Sequence, residues 1–223
     1  MARKNLYLIA GHGEDDYGFL PAALKESGKQ SPAVAYIGTA NGENPLFMAR
    51  MAQGLKAAGA SVVRLAPLLG KGRDEDKAAA ILTESDVIFI SGGEVEDGMA
   101  ALSPRIRALL WQLYDAGRVF IGISAGTIMM GQAWPHWDDE DNDFDNARLF
   151  DCLGFVQTIF DTHCEDEGWP ELKKAVSLQE EGYVGYGIRA GGMVRVSPDG
   201  VLHPNLPLDG YVCRGGEAVP CGC

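Results

Sequence analysis

Short apolar runs alternate with amphipathic stretches along the first half of the chain. Residues 6–10, 33–37, 61–65, 86–90 and 118–123 each read as a strand. Between them, residues 17–27, 45–58, 74–84 and 99–116 read as helices. Gly59 supplies a stop for the second helix, and acidic residues fill the first turn of the third. Strands and helices alternating at this spacing imply right-handed crossovers and a mostly parallel sheet covered on both faces. The fold class expected is therefore α/β, a three-layer α/β/α sandwich. Ligands in such sheets bind beyond the carboxyl ends of the strands. Gly11-His12-Gly13, Gly38-Thr39-Ala40, Ser91-Gly92-Gly93 and Ser124 all fall at those ends, which predicts one shared rim.

The second half reads differently. Residues 134–146 are polar and strongly acidic, too irregular for a helix, and are expected to form an excursion over the rim. Residues 155–160 read as a strand with Asp161-Thr162-His163 directly after it, and residues 169–178 as a helix. Residues 185–188 and 193–196 read as short strands around Gly191-Gly192, followed by a turn at Pro198-Asp199-Gly200. A small antiparallel C-terminal addition is the expectation there. No repeat or linker interrupts the pattern, so residues 1–223 are expected to form a single domain.

Composition narrows the function classes. The chain is 46% hydrophobic and 22% charged, an ordinary globular mix, and its net charge of -12 argues against nucleic-acid binding. No apolar run approaches the roughly 20 residues of a membrane span, and residues 6–10 are too short for a signal-peptide core, so no membrane association is expected. Five cysteines, Cys152, Cys164, Cys213, Cys221 and Cys223, are odd in number and unevenly spread, which suits reduced thiols in the cytoplasm. Cys221 and Cys223 are expected to lie in a frayed tail rather than to form a metal or redox pair.

Against this background Gly122-Ile123-Ser124-Ala125-Gly126 stands out, because it joins the end of an apolar run to a helix-like segment. A serine at a sharp strand-to-helix turn has its hydroxyl pushed out of the sheet, the geometry of a nucleophile elbow. Serine is a weak nucleophile at its free pKa and needs a neighbouring base, usually a histidine steered by a carboxylate. Of the four histidines, His203 reads as a surface residue and His136 as an exposed loop position. His12 is a candidate for rim packing or substrate contact. His163, following a strand, is the best candidate base. The Ala125 N–H, at the start of a helix, is a natural oxyanion donor, and Gly92 or Gly93 could give a second.

Ile90-Ser91-Gly92-Gly93, Gly122-Ile123-Ser124-Ala125-Gly126 and Asp161-Thr162-His163, with the late segments 185–188 and 194–196, resemble the serine peptidase family of dipeptidase E (aspartyl dipeptidase) and cyanophycinase. The resemblance covers most of the chain in the right order. It implies a class I glutamine amidotransferase-like fold with a flavodoxin-like core, and a Ser-His-acid site built on Ser124 and His163. It also implies an oxyanion hole from Gly92, Gly93 and Ala125, and no metal or organic cofactor. The acid would fall in Trp137-Asp138-Asp139-Glu140-Asp141, with Asp139 first and Glu140 and Asp138 as alternatives. Two departures stand out: Glu94-Val95-Glu96-Asp97 follows the glycine loop, and Cys164-Glu165-Asp166-Glu167 follows the histidine. Such acidity would repel acidic substrates unless Arg or Lys compensates, so aspartyl specificity is not carried over and a neutral or basic peptide-like substrate is equally expected on charge grounds. A small cytoplasmic peptidase is the expected function, with a small peptide-like substrate as its partner and a homodimer as an open alternative for its assembly. The rival readings are a non-catalytic small-molecule or partner-binding domain of the same fold, and an esterase using the same site.

Overall fold

The strand runs of the first half are apolar because both their faces are covered. In the computed structural model, which describes residues 2–12, 18–137 and 146–222, successive side chains of the inner strands enter two different cores, whereas the edge strand Val62–Leu65 leaves Val62 exposed. On β1 (Leu6–Ile9), Leu6 and Leu8 point to one side and Tyr7 and Ile9 to the other. The same alternation divides Val87 and Phe89 from Ile88 and Ile90 on β4 (Val87–Ile90), and Val119 and Ile121 from Phe120 on β5 (Val119–Ile123). One core takes in α1 (Leu20–Lys25) and α2 (Pro45–Ala57) through Leu20, Leu24, Met51 and Leu55. The other receives α3 (Glu75–Glu84), α4 (Val95–Ala101), α5 (Pro104–Asp115) and α6 (Ala125–Met130). Burial on both faces is what a parallel sheet between helix layers demands.

With β2 (Ala33–Ile37) and β3 (Val62–Leu65), the parallel part runs in the order β1-β5-β4-β2-β3. Two antiparallel strands, β10 (Met193–Val196) and β11 (Leu202–Pro204), extend the β1 side to seven strands. A second sheet joins β8 (Phe160–Thr162), β9 (Val184–Ile188), β12 (Asp209–Arg214) and β13 (Glu217–Cys221). Helix α7 (Pro170–Ser177) packs on it. The α/β fold with a mostly parallel sheet is as expected.

Several local readings are corrected. The helix expected over 99–116 is two helices, because Ser103 caps α5 by accepting the Ile106 N–H and Pro104 occupies its first turn. The stretch 134–146 is not an irregular excursion from its start: β6 (Ala133–His136) pairs antiparallel with β7 (Arg148–Asp151). The strand expected over 155–160 begins only at Phe160. The two short strands around Gly191-Gly192 part company, β9 joining β8 while β10 joins β1. Cys221 is not in a frayed tail but closes β13 opposite Gly210; Cys223 lies outside the described residues.

Candidate active site

Ser124 lies between β5 and α6 with φ 53° and ψ −123°, a backbone conformation that L side chains rarely adopt. Its neighbours leave the turn little freedom. The Ser124 N–H donates to the Ile9 carbonyl at 2.9 Å, and Thr127 Oγ1, within 2.9 Å of the Gly122 carbonyl oxygen, accepts the Ile9 N–H at 2.8 Å. Gly126 packs so closely that a Cβ there would come 2.1 Å from the Ile90 carbonyl oxygen. The glycines flanking the serine are therefore required by contact between α6 and the sheet, not by the turn alone.

His163 follows β8, has φ 49°, and is anchored by its N–H to the Ile188 carbonyl at 2.9 Å. Its Nε2 lies 2.8 Å from Ser124 Oγ. The predicted nucleophile and base are thus brought together from two different sheets. His12, with φ 61°, places its ring centroid 4.3 Å from that of His163. Three non-glycine residues with positive φ converge here, a concentration of backbone strain typical of functional sites.

The glycine loop lies against the serine: a Cβ added to Gly92 would stand 3.0 Å from Ser124 Cβ. Gly93, with φ 139°, has no room for a side chain, since a Cβ would come 2.0 Å from the Ala40 carbonyl oxygen. A polar network unforeseen from sequence holds this loop. Asn41 Nδ2 reaches Ser91 Oγ at 2.8 Å and the Gly92 carbonyl at 3.0 Å, and the Tyr36 hydroxyl donates to Ser91 Oγ at 2.8 Å. The only sequence signal was the position of Asn41 just past Gly38-Thr39-Ala40, a polar residue at a strand end. Ala125 is the first residue of α6, so its N–H has no acceptor within the helix. Helix α6 spans only six residues, and the expected dipole contribution is correspondingly small.

Gly93, Ser124, Ala125 and His163 line a cleft of about 340 Å³. Its walls carry Glu94, Glu96, Asp161 and Glu171, and no lysine or arginine lines it among the described residues. Trp134, His136 and Trp137 close one side, so His136 is not an exposed loop position; its Nδ1 lies 2.8 Å from Glu96 Oε2. His203 is exposed on β11, as expected. Asp138, Asp139 and Glu140, the candidate acids, lie outside the described residues.

Asp161 had no role in the sequence reading beyond preceding the histidine. Only 3% of its surface is exposed. Burial is the main reason its carboxyl is pushed up to about 7; Glu171 and Glu167 add to this, while the Thr162 and Leu172 backbone amides oppose it. Cys164 is likewise pushed up to about 12, by burial first and then by the negative charge of Asp161, Glu171, Glu167 and Glu165.

The profile of peptidase family S51 matches residues 7–203. Among curated proteins none matches the sequence. Among the solved structures that share the fold are two crystal structures. One is a peptidase from an acI-B1 Actinobacterium, 13% identical with a TM-score of 0.69, covering 99% of this chain and 95% of its own. The other is a candidate peptidase E protein from Listeria monocytogenes EGD-e, 18% identical with a TM-score of 0.60, covering 96% of this chain and 100% of its own.

Proposed function

This chain belongs to peptidase family S51 and is a serine-type peptidase, and from that premise we propose that Ser124 is its nucleophile, His163 its general base and short peptides its substrates. The observation that carries the reading is the 2.8 Å separation of Ser124 Oγ and His163 Nε2. It is the distance a proton transfer needs, and it favours a hydrolase over a binding module of the same fold. With neutral His163 protonated on Nδ1, Nε2 accepts the Ser124 proton as Oγ attacks the scissile carbonyl. The negative charge that develops on the carbonyl oxygen meets the Ala125 N–H and the Gly92 or Gly93 N–H. The imidazolium then gives its proton to the leaving amine, and a water activated by the same ring hydrolyses the acyl-enzyme. A carboxylate from residues 138–140, Asp139 first, completes the site in this proposal.

The acidic cleft supports neutral or basic groups beside the scissile bond and disfavours N-terminal aspartyl peptides, since Glu94, Glu96 and Glu171 line it, with Asp161 beside them, and no lysine or arginine among the described residues is there to receive another carboxylate. The described cysteines are all free thiols, which fits the cytoplasm as the proposed location. No described helix is long and apolar enough to cross a membrane. One hydrophobic core runs from the main sheet to α7 and the second sheet, and this continuity supports reading residues 1–223 as one domain.

A fluorophosphonate probe tests the nucleophile: it is expected to modify Ser124, and S124A and H163A are each expected to lose at least about 10⁴-fold in kcat against a dipeptide panel. Wild-type turnover in S124A would sink the assignment. Faster cleavage of aspartyl than of lysyl or arginyl dipeptides would sink the substrate class while leaving the nucleophile intact.

A further inference from the structure

On the wall of the cleft, beside His163, three side chains that the hydrolytic mechanism does not use converge. Asp161 in the middle of β8, Cys164 two residues past its end and Glu171 in the first turn of α7 place one ligand atom each within 4.8 Å of one another. Two of them are unsatisfied. The nearly inaccessible Asp161 accepts the Thr162 N–H at 2.7 Å on Oδ1, whereas its Oδ2 accepts no hydrogen bond of normal geometry, the Leu172 amide acting on the carboxyl only through a looser contact, and buried Glu171 Oε2 has no partner either. A buried carboxylate oxygen without a donor is expensive unless something positive meets it. No lysine or arginine lines the cleft among the described residues.

We propose that Asp161, Cys164 and Glu171 bind a divalent transition ion of the zinc class. The sulfur decides the chemistry. An ammonium or a hard ion such as magnesium gains little from a thiol, whereas thiolate with two carboxylate oxygens suits a borderline ion such as Zn²⁺ or Co²⁺. Tetrahedral zinc with bonds of about 2.0 Å to oxygen and 2.3 Å to sulfur sets its ligands about 3.3–3.5 Å apart, so small rotations of the three side chains close the site. Cys164 binds as the thiolate and its proton passes to water. Three protein ligands leave the fourth position open to the cleft. The ion then stands on the wall along which a substrate reaches Ser124, and metal and substrate compete.

Cobalt titration of the full chain, in a C221S/C223S background that removes those two thiols, tests this without any substrate. A single equivalent is expected to bind with a thiolate-to-cobalt charge-transfer band in the near ultraviolet. C164S is expected to abolish the band. E171Q, on the half-buried face of α7, is expected to keep the band's origin but weaken zinc, measured by competition with a chromophoric chelator, by at least the about 10–100-fold that loss of an outer partner costs. S124A is expected to bind zinc as tightly as its parent, so a failed peptidase assignment leaves this result standing. Absence of the band, or the same band and zinc affinity in C164S, overturns the proposal.

Discussion

Replacing Ser124 by glycine should stabilise the protein relative to replacing it by alanine, although both changes remove the nucleophile. Either substitution deletes the hydroxyl and its 2.8 Å contact with His163 Nε2, so that loss cancels between the two variants. What remains is the Cβ. At φ 53° and ψ −123° an L residue is held in a sparsely populated region, which costs on the order of 1–3 kcal/mol, and glycine escapes that cost. Glycine gives back about 0.5–1 kcal/mol through the greater freedom of its unfolded chain. The net expectation is that S124G exceeds S124A by about 1 kcal/mol, within a span of about 0–2.5 kcal/mol. For a chain of this length the central figure corresponds to roughly 2–4 °C in Tm. Calorimetry and urea unfolding of the two variants, with equal m-values as a control on the unfolded state, measure the difference. An S124G no more stable than S124A would refute the strain, and with it the view that the fold forces the serine into its exposed position.

Two further outcomes follow from buried polar groups. Burial pushes the Asp161 carboxyl up to about 7 in the fold, against 3.8 for the free side chain. The native state therefore binds more protons between those values, and stability falls as pH rises through them, by up to about 4 kcal/mol. With chelator present, D161N should flatten this dependence and exceed the wild type in Tm at about pH 8 but not at about pH 4; parallel curves for the two proteins would exclude it. Asn41→Ala strips the donor from the Gly92 carbonyl and from Ser91 Oγ, which should lower stability by about 1–3 kcal/mol and kcat more than KM, because the loop it holds is proposed to meet charge only in the transition state. A stability loss with unchanged kcat would leave Asn41 a purely structural residue.

The strands that carry the rim were legible because double-sided burial leaves an unbroken apolar run, as in Val87–Ile90 and Val119–Ile123. Pairing was not. The β9 and β10 segments look alike locally, and only the edge of β1 and the placement of β8 decide which sheet each joins. The β6–β7 pair hid behind Pro135 and an acidic stretch, although a proline is tolerable where a strand has a neighbour on one side only. The break between α4 and α5 was written in Ser103-Pro104, but an apolar period running on past it masked the cap.

The site divides in the same way, for a reason that lies in what a sequence encodes. Ser124 and His163 could be found because their neighbours are restricted: no side chain fits at Gly126 or Gly93, so the letters around the chemistry are fixed by contact with the Ile90 and Ala40 carbonyls. Carboxylates carry no such restriction. One acidic letter is as acceptable as another on an exposed face, so nothing distinguished the buried Asp161 from Asp166 five residues on, and nothing in the run 138–141 selected one acid. Backbone conformation is still less visible, since His12, Ser124 and His163 adopt positive φ with none of the glycine or asparagine that would announce it. The angles at His12 and Ser124 hold because β1 and β5 are packed on both faces, and that at His163 because β8 pairs with β9 and the His163 N–H is tied to the Ile188 carbonyl, so the fold forces side chains into the cleft that no local preference would put there.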